Sequence, residues 1–355
     1  MTCPKAAIRS LSYYLPERVL TNEELASEYS GWSPHDIQAK TGIRKRHIVG
    51  PGECASDLAV AAAKELFATG ACTPSEVGCL LLCTQSPDYF LPTTACLVQD
   101  RLGLATTCAA LDVNLGCSGF VYGLGLAKGL IETSQAENVL LITAETYSKH
   151  IHRRDKSVRS IFGDAAAATW ITAEETGRDI LGPFVYGTDG KGAGNLIVPA
   201  GGLRQPRVVD AVAVEDGSGN QRTVNDLFMN GPEIVTFTLR IVPQVMAQLL
   251  TKAHRTMQDI DLFIFHQANQ YMLEHLRRKL NLPEAKLPIM MSHCGNTVSS
   301  TIPILLKDLQ TSGRLSAGQT LMLLGFGVGY SWAGAIMEWR QMPAGARPKN
   351  ACRVP

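Results

Sequence analysis

The chain has almost no excess charge of either sign. Its 355 residues carry a formal net charge of +1. A polyelectrolyte surface for nucleic acid is therefore not expected. No apolar run approaches the roughly 20 residues of a membrane span, so no such span is expected. The opening residues, Met1 to Ile8, lack the apolar core of a signal peptide. The ten cysteines are scattered singly, without C-x-x-C pairs, and a zinc site is not expected. Free thiols without an export signal point to a reducing cytoplasm. His150-Ile151-His152 has no further ligand pattern beside it and reads as a surface or interface feature. The tail Pro343–Pro355 is polar, with no apolar period, and is expected to fray. Gly201–Gln221, rich in Gly, Arg and Asp, reads as a long excursion between two halves, with a short strand at Val208–Val214. Such a loop is either a functional cover or a surface insertion. The length suffices for a large core in one two-part body.

What is present centres on Cys117, in Leu115-Gly116-Cys117-Ser118-Gly119-Phe120. Before it, Ala109-Ala110-Leu111-Asp112-Val113 reads as a short buried strand. After it, Phe120, Leu124, Ala127 and Ile131 fall on one face of a helix. Cys117 is thereby placed at a strand-to-helix turn, where the helix dipole and free N–H groups favour a thiolate. A thiolate there is a nucleophile. Taken alone, Cys117 fits a buried structural cysteine equally well.

The same order of elements occurs twice. In the first half, an apolar strand at Cys79–Cys83 is followed about thirty residues later by the Cys117 turn, a helix, and a strand at Val139–Thr143. In the second half, a strand at Asp261–Phe265 ends in His266-Gln267-Ala268-Asn269. About thirty residues later come Gly295-Asn296-Thr297, a helical run through Leu305 and Leu309, and a strand at Thr320–Leu324. The repeat predicts a duplicated α/β unit, with residues 1–176 carrying the cysteine and 177–355 carrying His266 and Asn296. If the halves are related by approximate twofold symmetry, Cys117 and Asn296 occupy equivalent turns, and with His266 at a strand end all three can converge at one site. Singly, His266 also fits a core histidine, and Asn296 a turn residue or N-cap.

Further motifs are Thr41-Gly42-Ile43-Arg44, Phe162-Gly163-Asp164-Ala165-Ala166 and Gly325-Phe326-Gly327-Val328-Gly329. With the Gly-Cys-Ser-Gly-Phe, His-Gln-Ala-Asn and Gly-Asn-Thr segments, in this order and spacing, the chain resembles the thiolase superfamily. Within it, the likeness is to the β-ketoacyl-acyl carrier protein synthase III family, over nearly the whole length. The resemblance implies a thiolase-like duplicated α/β fold, with two mixed sheets and helices in layers (αβαβα). It implies acyl transfer to Cys117, then decarboxylative Claisen condensation with a malonyl thioester, in fatty acid or related secondary metabolite biosynthesis. The implied triad is Cys117, His266 and Asn296, with the backbone N–H groups of Cys117 and Val328 as oxyanion donors. Leu91, Phe90, Asn269, Phe326, Lys40 and Lys156 are the implied substrate contacts. Leu91, in particular, is expected to come from a dimer partner and close the acyl pocket, with Phe90 as an alternative occupant of that volume. A homodimer using acyl carrier protein and acyl thioesters, with no metal and no cofactor, is the implied assembly. Asp164 is implied to be structural, and Cys294 to be a poor rival nucleophile without the glycine context.

Several positions depart from the family pattern. Asp36 and Lys40 stand where a coenzyme-stacking Trp and an Arg are usual, and Trp32 comes four residues too early. Lys156 replaces a stacking Arg, and lysine does not stack as a guanidinium does. Tyr271 replaces another Arg, and Pro232 a polar contact. These departures shift the expected donor from coenzyme A toward an acyl carrier protein. Lys40, Lys156 and Arg159 are expected to meet its acidic surface. Alternatives are a thioester-dependent acyltransferase to oxygen or nitrogen, and a non-catalytic partner subunit. Asn296 argues against the first and the intact triad against the second. No motif places a carboxylate base near the thiol, as a hydroxymethylglutaryl synthase would require.

Overall fold

A computed structural model describes residues 4–29 and 31–340. The tail Pro343–Pro355 lies outside them. In chain order, the first half supplies strands β1 (Lys5–Tyr14), β2 (Cys79–Cys83), β3 (Ala109–Val113), β4 (Asn138–Glu145) and β5 (Ala165–Glu174). The second supplies β6 (Leu181–Thr188), β7 (Leu262–Phe265), β8 (Thr320–Gly327) and β9 (Ser331–Glu338). The first sheet runs β1-β5-β4-β2-β3, and the second β6-β9-β8-β7. In each, two antiparallel pairings are followed by a parallel one: β1/β5, β5/β4 and β4/β2 match β6/β9, β9/β8 and β8/β7. The sheets thus share one topology, and β3 is the first sheet's additional strand.

Side-chain alternation along the strands produces the layers. Leu81 faces inward, onto helices Gly119–Glu132 and Thr301–Thr311, whereas Leu80 and Leu82 face outward, onto helix Ala55–Ala68. In the second sheet Leu262, Ile264, Leu321 and Leu323 face the same inner helices. Phe263, Phe265, Met322 and Leu324 face outward, into the core that holds helices Gly231–Ala253 and Gln270–Lys279. Apolar residues on both sides of the strands therefore impose an αβαβα stack. Phe120, Leu124, Ala127 and Ile131, the helical stripe legible in the sequence, are all buried in the central layer. Each of the larger three contributes about 1.5–3 kcal/mol on burial.

Three expectations change here. β3 is not a buried strand: it lies at the sheet edge, and Leu111 is 40% exposed. The excursion forms no strand over Val208–Val214. Only Val214–Glu215 pairs, with Gln221–Arg222, and Arg222 anchors that hairpin by ion pairs to Asp155 and Asp216. Finally, helix Gly231–Ala253 is long and apolar enough to cross a membrane by length and composition. Its stripe Ile234, Phe237, Ile241, Val245 and Leu249 is buried in the core.

Candidate active site

Cys117 and Asn296 occupy matching turns in front of the two central helices. Cys117 follows β3 and precedes helix Gly119–Glu132, with Ser118 at the N-cap. Asn296 leads into helix Thr301–Thr311, whose N-cap is Ser300. Asn296 is therefore not itself a cap. Gly295 turns the chain with φ of 76°, a conformation that favours glycine. The Asn296 turn is strapped across the halves: its N–H donates to the Ile161 carbonyl at 2.9 Å, and its carbonyl accepts from Gly163 N–H at 3.0 Å. This explains the Phe162-Gly163-Asp164 motif. Asp164 is buried and accepts from the Val49 and Ser148 N–H groups at 2.8 and 2.9 Å, fixing the strap. The Thr41-Gly42-Ile43-Arg44 motif supports the same turn, since Arg44 N–H donates to the Ser292 carbonyl at 2.9 Å.

His266 follows β7 directly, and its N–H donates to the Leu324 carbonyl at 2.8 Å. Its Nδ1 lies 2.7 Å from Thr301 Oγ1, which also lies 3.1 Å from the Val298 carbonyl. Burial lowers the imidazole pKa to about 3, so the ring is neutral. Val298 N–H donates to Asn296 Oδ1 at 2.9 Å. That bond fixes the amide and leaves Nδ2 as its remaining donor.

Cys117, His266 and Asn296 line one cavity of about 170 Å³. Phe326 and Asn269 line it too. Phe326 meets His266 edge-on at 5.8 Å, and Asn269 Oδ1 caps helix Gln270–Lys279 by accepting from Met272 N–H at 2.8 Å. Close approach at the sulfur requires glycine: a Cβ on Gly327 would stand 2.8 Å from Cys117 Sγ. The backbone N–H groups of Val328 and Cys117 favour the ionised form of the sulfur. Burial outweighs them and pushes the thiol up to about 12, with Glu145 adding to the rise. The resting residue is therefore a thiol, not the thiolate that its helix-start position suggests.

Glu145 escaped the sequence reading. It ends the apolar strand β4 and is fully buried. It accepts from Ser299 Oγ at 2.8 Å, Gln85 N–H at 3.1 Å and Ser86 Oγ at 3.4 Å. Burial raises its pKa to about 8, so it holds its proton at neutral pH. The only signal in the sequence was a lone acid closing an otherwise uncharged strand. The carboxyl is close enough to influence Cys117, contrary to expectation. It does not line the cavity, and three donors already engage it.

The other expected contacts separate. Cys294 is buried outside the cavity, and burial pushes its thiol up. Phe90 and Leu91 do not line this chain's cavity and are 79% and 83% exposed. Lys40 and Lys156 are also outside it, with Nζ atoms 4.7 and 5.6 Å from the Trp32 ring centroid. Trp32 thus lies against both lysines, with its ring held by two ammonium groups. Asp36 is a capping-box partner of Ser33, and Pro232 opens helix Gly231–Ala253. Arg159 is committed to Glu28 at 2.6 Å.

The chain is similar to known proteins over most of its length. Residues 111–190 match the profile of 3-oxoacyl-[acyl-carrier-protein] synthase III, and residues 250–339 that of its C-terminal part. The β-ketoacyl-[acyl-carrier-protein] synthase III of Caldanaerobacter subterraneus subsp. tengcongensis is 35% identical over 337 residues, covering 94% of this chain and 98% of the relative. A crystal structure of a 3-oxoacyl-(acyl-carrier-protein) synthase III has a TM-score of 0.94 at 54% identity, over 95% of this chain and 100% of the other. That of the 3-oxoacyl-(acyl-carrier protein) synthase from Burkholderia xenovorans LB400 has a TM-score of 0.86 at 36% identity, over 96% and 95%.

Proposed function

The chain belongs to the β-ketoacyl-acyl carrier protein synthase III family and is a condensing acyltransferase of that type, and we propose that Cys117, His266 and Asn296 carry its two half-reactions. The observation behind this reading is their convergence on one cavity, with two backbone N–H groups at the sulfur.

In the first half-reaction, Cys117 Sγ attacks the carbonyl of an acyl thioester. The thiol proton passes to the departing thiolate, so one thioester is exchanged for another. The Cys117 and Val328 N–H groups receive the oxyanion. In the second, a malonyl thioester loses CO₂, and the electron pair of the broken C–C bond forms an enolate. His266 and the Asn296 amide nitrogen donate to the enolate oxygen. The enolate carbon then attacks the acyl-Cys117 carbonyl, the C–S bond breaks, and the sulfur takes up a proton.

This scheme needs His266 to present a proton without being charged. Of the two neutral tautomers compatible with the 2.7 Å contact between Nδ1 and Thr301 Oγ1, the scheme takes the one in which the hydroxyl donates to Nδ1. The imidazole proton then sits on Nε2. A ring with its pKa near 3 donates from its neutral form throughout the physiological range.

The donor is an acyl carrier protein thioester in preference to coenzyme A. Asp36 is spent on a helix cap, and the Trp32 face is occupied by Lys40 and Lys156, so the usual base-stacking clamp is not reproduced. The working unit is a cytoplasmic homodimer of chains divided as 1–176 and 177–355. Exposed Tyr89, Phe90, Leu91 and Leu111, with the open edge of β3, support pairing through the first half. In such a dimer Leu91 of one copy closes the acyl pocket of the other.

Intact-protein mass spectrometry after exposure to acyl-carrier and acyl-coenzyme A thioesters tests the assignment. The acyl mass should appear on the wild type and on Cys294→Ala, but not on Cys117→Ala. An acyl adduct that persists in Cys117→Ala would overturn it.

A further inference from the structure

Away from Cys117, His266, Asn269 and Asn296, the cavity wall is almost wholly apolar, with Phe162, Leu196, Met229, Ile234 and Met272 among its residues. Thr238, on helix Gly231–Ala253, breaks that pattern. The residue is fully buried, and its Oγ1 has no hydrogen-bond partner among the described residues. Threonines in helices ordinarily settle this by donating to the carbonyl four residues back. Two on this same helix do so: Thr236 Oγ1 donates to the Pro232 carbonyl at 2.9 Å, and Thr251 Oγ1 to the Ala247 carbonyl at 2.9 Å. Thr238 does not.

Burying a hydroxyl without a partner is destabilising, and a valine of the same shape would avoid that cost. The hydroxyl makes physical sense if its partner arrives with the substrate. We propose that Thr238 is a specificity-determining residue whose hydroxyl hydrogen-bonds a polar group brought into the cavity by the thioester substrate. The inference rests on the reading of this cavity as the acyl-transfer site. A saturated acyl chain has nothing to offer a hydroxyl. The partner is therefore an amide of the pantetheine arm, or an oxygen carried on the acyl chain.

The test measures kcat and KM for acylation of Cys117 in the wild type, Thr238→Val and Thr238→Ser. Three donors are compared: a saturated acyl-carrier thioester, its 3-hydroxyacyl counterpart, and the saturated acyl thioester of a simple alkanethiol without amides. Loss of one neutral hydrogen bond should lower kcat/KM of Thr238→Val by about 3- to 10-fold, chiefly through KM, with Thr238→Ser restoring it. If the partner is a pantetheine amide, both carrier thioesters are affected and the alkanethiol ester is not. If it is the acyl oxygen, only the 3-hydroxyacyl donor is affected. Unchanged kinetics with every donor, or an equal loss with all three, would overturn the proposal. Thermal unfolding without substrate is a second check: Thr238→Val should be at least as stable as the wild type, and a destabilised or unfolded variant would show that the hydroxyl has a protein partner. Failure of the wild type itself to acylate would count against the site reading rather than against Thr238.

Discussion

The two turns at the cavity are built alike and carry opposite chemistry. Each lies in its own half and leads into a central helix. The first presents a sulfur nucleophile, the second an amide held by Val298 N–H. Their buried titratable neighbours are also opposed. Glu145, from the first half, keeps a proton that a carboxyl normally loses, and His266, from the second, lacks a proton that it would often carry. One cause produces both: burial penalises whichever form is charged. A duplicated scaffold can thus take up different roles at equivalent places, while its interior keeps both neutral.

The largest effect should come from the shared layer between the sheets. Leu124→Ala and Leu305→Ala each remove a fully buried side chain, one per half, and should each cost about 2–5 kcal/mol. Denaturant unfolding of the two variants measures this. A large cost for one and a negligible cost for the other would break the equivalence of the halves.

Next in size is the separation of the half-reactions. His266→Ala and Asn296→Ala should still take up an acyl group on Cys117. Malonyl decarboxylation should fall by about 10²-fold or more, the scale of a lost oxyanion donor. Parallel loss of both steps would make these residues general positioning groups. Mass spectrometry follows the first step and CO₂ release the second.

A smaller effect concerns pH. Glu145 has its pKa raised to about 8, so between its unfolded value of 4.5 and about 8 the folded state binds the extra proton. Its contribution to stability is fully present below that window and is lost as pH rises through it. His266 has its pKa lowered to about 3 from 6.5, so its contribution is lost as pH falls from 6.5. Glu145→Gln should flatten the alkaline limb of a melting-temperature profile and leave the acidic limb in place. An unchanged alkaline limb would exclude Glu145 as its source.

The smallest effect is in donor choice. A carrier-protein thioester should acylate Cys117 faster than the matching coenzyme A thioester, by a modest factor that shrinks with added salt. Lys40 and Lys156 supply the steering charge, and screening weakens such attraction. Stopped-flow acylation at two ionic strengths checks it. Equal rates and equal salt dependence would show a coenzyme clamp of another design.

The sequence by itself determined the repeated order of strands, turns and helices, because apolar runs and helical periodicity are local properties. It also placed Cys117, His266 and Asn296 at the ends of strands and in the turns that the structure brings to one cavity. The strand at Ala109–Val113 was legible to the residue, yet its place at the sheet edge was not, since an apolar run does not reveal how many neighbours it will have. The protonation of Cys117 was misread for a related reason. Position at a helix start is local and favours the thiolate, whereas desolvation depends on everything packed around the sulfur, and here it dominates. Glu145 and Trp32 acquire their meaning only from partners elsewhere in the fold, Ser299 across the halves and two lysines brought together over one ring, and Thr238 from a hydroxyl with no hydrogen-bond partner among the described residues. Backbone pattern is written along the chain, but burial and hydrogen-bond satisfaction are sums over neighbours, and the tertiary structure alone supplies those neighbours.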